Sequence, residues 1–112
     1  MRGYLAALVL TLVIEVPVAS VWLRRLGTSL GRALLSAVAV NMVSHPLAFL
    51  VVWPLLDRVL PAAVVLAAVE LAVIAGEAVG YRRLTRVDSG SAVQIAALAN
   101  VASLAFGWFA VR

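Results

Sequence analysis

At 112 residues, 65% of them apolar and only 12% charged, the chain lies far outside the composition of a soluble globular domain. With no cysteine, disulfides, Cys-ligated zinc and thiolate nucleophiles are excluded. The net charge of +4 rests on arginines alone, set in short clusters between apolar runs rather than on one solvated face, so the expected partner is the lipid bilayer and not nucleic acid.

Four apolar runs follow in chain order, and about 20 such residues cross a hydrocarbon core of about 30 Å. The first covers residues 4–22, carries Glu15 and Pro17, and ends at Leu23-Arg24-Arg25. The second covers 32–53, follows the Gly27–Gly31 turn, carries Asn41, Ser44, His45 and Pro46, and stops before Pro54. The third covers 61–81 and carries Glu70 and Glu77; Pro61 suits its first turn, where a missing N–H costs nothing. The fourth covers 91–111, with Asp88, Ser89 and Ser91 as candidate N-caps and Asn100 and Ser103 set among alanines. The short turns leave no room for a second domain. The expected fold is all-α, a single transmembrane domain over 1–112 forming an integral membrane four-helix bundle. Arg2, an apolar stretch and Val18-Ala19-Ser20 imitate a signal peptide, but Glu15 and Pro17 interrupt it, so the first run is expected to be a retained span.

The arginines set an orientation. The loops between spans one and two and between three and four carry Arg24, Arg25, Arg32, Arg82, Arg83 and Arg86, against Arg2, Arg58 and Arg112 on the opposite side. The positive-inside rule then places the protein in the cell (inner) membrane with both termini extracytoplasmic. Tyr4, Trp22, Trp53 and Trp108 fall at span ends, where aromatic rings anchor in the interface.

The polar residues within the spans carry the functional question. An ionisable group at the bilayer centre costs about 2.5–3.5 kcal/mol even on lenient scales, so it faces a bundle interior. Counting a rise of about 1.5 Å per residue from each span's midpoint puts Glu15, Asn41, Glu70 and Asn100 within about 3 Å of the midplane. The same count puts His45 about 4 Å toward the outside and Glu77 about 9 Å toward the cytoplasm. Asn41 and His45 share a helix face, as do Glu70 and Glu77, with Ser44 and Ser103 alongside as supporting polar groups. Pro17 and Pro46 release the carbonyls of Val13 and Met42 as further acceptors.

Length, four spans and the first-helix Glu15 resemble the small multidrug resistance exporters. Ala75-Gly76-Glu77 and Gly80 depart from that family's glycine-rich third-helix motif, and Asn41, His45 and Glu70 are unlike it. The resemblance implies a membrane carboxylate that exchanges protons for a cation.

Three functions fit this layer. The leading one is a transporter or ion-translocating component, with Glu15, Glu70, Glu77 and His45 binding protons or a small cation. The next is an accessory or structural subunit of a larger membrane complex, or a homo-oligomer, in which Asn41, Ser44, Asn100 and Ser103 hold helices together. Third is an intramembrane metal-binding protein or metalloenzyme, with a divalent ion as cofactor on His45, Glu15 and Glu70, a mixed nitrogen and oxygen donor set.

Overall fold

The computed structural model describes the backbone of residues 2–110 and the side chains of residues 3–106; the side chains of Arg2 and Trp108, and Arg112, lie outside the described residues. The chain forms α1 (Arg2–Arg25), α2 (Leu30–Leu47), a π turn (Ala48–Val52), α3 (Trp53–Asp57), α4 (Ala62–Thr85) and α5 (Ser89–Ala110). The α2 helix, π turn and α3 are continuous, so four helices are long and apolar enough to cross a membrane. Among the described residues there is no strand. The protein is an all-α, four-span membrane bundle. Its longest extent of 42 Å exceeds the hydrocarbon thickness by a loop at each end.

Helix ends follow local chemistry. Ser29 caps α2 by accepting from the Arg32 backbone N–H. Pro61 is the N-cap of α4, one position before the first turn, with extended backbone that proline tolerates well. The C-cap of the same helix is Arg86, at φ 60, a left-handed conformation that glycine would adopt at lower cost. Before α5, Asp88 accepts from the Ser91 backbone N–H at 3.2 Å and from the Ser91 hydroxyl at 2.5 Å. The second span passes Trp53 and Pro54 because Pro54 falls at the start of α3, where its missing N–H is absorbed by the π turn.

The helices close a ring. α1 packs on α2 and α5, and α4 packs on the same two neighbours. The loops after α1 and α4 share one end with Arg24, Arg25, Arg32, Arg82, Arg83 and Arg86, and the start of α1 and the end of α5 lie at the other.

Packing differs between the two ends. Toward the arginine end a core of Ala19, Leu23, Ala33, Ala37, Tyr81, Ile95 and Ala96 draws on all four spans. Toward the terminal end the buried cluster is Ala48, Val65, Val69 and Val73, from the second and third spans only. No described residue of α1 before Glu15, and none of α5 after Asn100, is buried. Small side chains set the close approach of α2 and α4: a Cβ added at Gly80 would sit 2.8 Å from Val40 Cγ2.

Candidate functional site

Where the packed half meets the open half, each of the four spans turns a polar side chain inward. Glu15, Asn41, His45, Glu77 and Asn100 are all buried, Glu15, Asn41 and Glu77 completely. Position along each helix explains the convergence. Glu15 is the last interior residue of α1 before the Ala19–Leu23 core, and Asn100 the corresponding residue of α5 beyond Ala96. Asn41 and His45 stack one turn apart on α2, and Glu77 lies one turn beyond Val73 on α4.

The centre is a triad. His45 Nε2 lies 3.2 Å from Glu15 Oε2 and 3.6 Å from Glu77 Oε2. One donor atom from each of Glu15, His45 and Glu77 falls within 4.8 Å of the others. Hydroxyl and amide donors brace the two carboxylates from outside. Ser44 donates to Glu77 Oε2, Asn100 Nδ2 donates to Glu77 Oε1 at 2.5 Å, and Ser103 donates to Glu15 Oε2 at 2.7 Å. Asn41 and Asn100 also donate to the carbonyls of Ala37 and Ala96 on their own helices, which fixes their rotamers.

This network is incompletely satisfied. Glu15 Oε1, His45 Nε2, Asn41 Oδ1 and Asn100 Oδ1 are buried without a hydrogen-bond partner. The His45–Glu15 approach is close but out of line for a hydrogen bond, so His45 Nε2 counts as unpaired despite its 3.2 Å contact. Buried polar groups of this kind cost about 1–3 kcal/mol each, and more for charged groups.

Glu70 is not part of the triad. It is half-buried, two helical turns from Glu77 toward the terminal end. Of the residues expected as a metal set, His45 and Glu15 come together, and the carboxylate of α4 that joins them is Glu77 and not Glu70. Counting depth along each span ranks Glu70 nearer to Glu15 than Glu77, whereas the carboxylate that meets His45 is Glu77. The expected supporting residues Asn41, Ser44, Asn100 and Ser103 all border the triad.

The residues missed by sequence reasoning lie above His45. A cavity of about 410 Å³ is lined by Tyr4, Thr11, His45, Phe49 and Trp53 among others, and His45 forms its inner end. The rings of His45, Phe49 and Trp53 stack with centroids 6.0 Å apart at each step. Tyr4 and Trp53, expected only as interfacial anchors, thus also line the cavity beside His45. The four-residue spacing of the three rings was the available signal.

Comparison with protein-family models, with curated proteins and with solved structures gave no match. The class rests on the fold and the site: a small multipass membrane protein with a buried Glu/His/Glu cluster.

Proposed function

We propose that this chain is an ion-translocating component of the cell (inner) membrane, its termini extracytoplasmic, in which Glu15, His45 and Glu77 bind a small cation, the proton included. The observation that carries this reading is the convergence of three ionisable, buried side chains from three helices, with acceptor atoms left unpaired. Structural glue between membrane helices needs only amides and hydroxyls, at about 0.6–2 kcal/mol per contact. Two carboxylates and an imidazole are a costly substitute unless a cation offsets their charge. The asymmetric packing supports translocation: the cluster is approached through the aromatic cavity, while Leu23, Tyr81 and Ile95 close the arginine end. Transfer across the bilayer then requires that packed half to rearrange.

The test is reconstitution in liposomes with measurement of proton and metal-cation flux. The expected result is flux that Glu15→Gln and Glu77→Gln abolish and Glu70→Gln retains, because Glu70 lies outside the triad. Wild-type protein with neither flux nor any cation-dependent change in unfolding would overturn the reading.

The accessory-subunit reading has one observation in its favour. A groove of about 330 Å³ between α2 and α4 is lined by Ala39, Val43, Ala72 and Gly76, and a Cβ at Gly76 would meet no atom within 4 Å. Co-purification of a membrane partner, lost on Gly76→Leu while the cluster variants leave it intact, would favour that role.

A further inference from the structure

We infer that the cation taken by the Glu15–His45–Glu77 triad is a divalent transition metal of the zinc, manganese or iron(II) class, a narrower statement that rests on the cation-site reading above. Charge is the first argument. Two carboxylates and a neutral imidazole carry −2, which a divalent ion cancels and a monovalent one halves. In a site with Glu15 and Glu77 fully buried, that residual charge decides occupancy, because a buried ion without a compensating charge is strongly disfavoured.

Geometry is the second argument. Ligands about 2.0–2.2 Å from a four-coordinate metal lie about 3.3–3.6 Å from one another. The triad's two imidazole-to-carboxylate distances, 3.2 Å and 3.6 Å, lie close to two edges of such a polyhedron, and all three ligand atoms fall within 4.8 Å of one another. Calcium demands six to eight oxygens, and magnesium a near-octahedral shell rich in water. An imidazole with two carboxylates suits neither as well as it suits a first-row metal.

The third argument is the surroundings. His45 Nε2, on a side chain more than nine-tenths buried, has no hydrogen-bond partner, and neither has Glu15 Oε1, the second oxygen of the carboxylate whose Oε2 lies 3.2 Å from it. Ser44, Asn100 and Ser103 orient the carboxylates from outside, as the outer partners of metal ligands do. Of the three ligand residues, His45 also borders the cavity lined by Tyr4, Thr11, Phe49 and Trp53.

The experiment is done on the full chain purified in detergent without chelator. Metal content is measured by mass spectrometry, and unfolding is followed with ZnCl₂, MnCl₂, NaCl or KCl, or across pH. The expected result is about one divalent ion per chain, a melting temperature that rises with the logarithm of metal concentration, and reversal by EDTA. Cobalt(II) should give the intense visible bands of a four-coordinate site. His45→Gln and Glu77→Gln should weaken affinity at least about tenfold, and Ser103→Ala, which removes no ligand, about tenfold. Asp57→Asn should leave it unchanged. If a ligand variant fails to fold, Ser103→Ala and the wild-type chelator reversal still decide. Stabilisation by sodium, potassium or protons with no response to divalent ions would overturn this inference and leave the cation site standing. No response to any cation would overturn both.

Discussion

Gly80 offers the sharpest test of how α2 and α4 are held together around Ser44 and Glu77. A methyl group at this position would lie 2.8 Å from Val40 Cγ2 and 3.6 Å from Val40 Cγ1, against a β-branched side chain that is itself buried. Overpacking of that kind costs about 1–3 kcal/mol. Replacing helical glycine by alanine returns about 1 kcal/mol of helix propensity. Gly80→Ala should therefore destabilise the bundle by a net of about 0–2 kcal/mol. Val40→Ala removes the atoms in the way, so in that background Gly80→Ala should stabilise by up to about 1 kcal/mol. The sign of one substitution thus reverses with the partner, and the coupling between the sites should fall at about 1–3 kcal/mol. Reversible unfolding of the four proteins in detergent micelles, followed by tryptophan fluorescence, gives the double-mutant cycle directly. A coupling below about 0.5 kcal/mol would refute the direct Gly80–Val40 approach. Gly76→Ala supplies the contrast, since its added methyl meets nothing within 4 Å.

Two further outcomes concern the ends of the bundle. Hydrogen bonds from the Ser91 hydroxyl and backbone hold the Asp88 carboxyl below its ordinary range. A depressed carboxylate contributes stability above its unfolded value of about 3.9 and loses it as pH falls through the folded value. Protection of the Ser91 amide, measured as exchange relative to its intrinsic rate at each pH, should therefore fall on acidification below about pH 4; Asp88→Asn should flatten that dependence, and an unchanged profile would contradict the cap. Reporter fusions after Arg112 should read extracytoplasmic and fusions in the Gly27–Ser29 turn cytoplasmic, and the reverse pattern would defeat the arginine argument.

The spans and the polar layer were legible in the sequence because a bilayer punishes any charge without a reason. Glu15, His45, Asn100 and Glu77 stand out against apolar neighbours whatever the three-dimensional arrangement. The pairing of these residues was less legible. Whether Glu70 or Glu77 meets Glu15 depends on the vertical offset of α4 against α1 and α2, which tertiary packing sets. Two features fix it, the α2–α4 approach at Gly80 and the Val65, Val69 and Val73 contacts with Ala48. Both are relations between helices, so neither has a signature within one of them. The uneven packing of the two halves was hidden for the same reason, since Leu5 and Val9 in the open half look no different in sequence from apolar residues that end up buried.

The π turn has a consequence for insertions and deletions. In an α-helix a step of four residues overshoots a full turn by about 40°, so two such steps would carry Trp53 about 80° around the axis from His45. Across Ala48–Val52 the wider π winding falls short of a turn in four residues and cancels that drift. The three rings consequently stay aligned along the cavity wall. Loss of any one residue from 48–52 would let this segment revert to plain α winding, with the tryptophan now seven positions on and only about 20° off the histidine's line. Losing a residue between Leu30 and Asn41 has no such buffer: it would turn either the packed arginine-end stripe or the histidine face by about 100°. The second span is therefore a helix with one spare residue, carried where a length change does least harm to alignment.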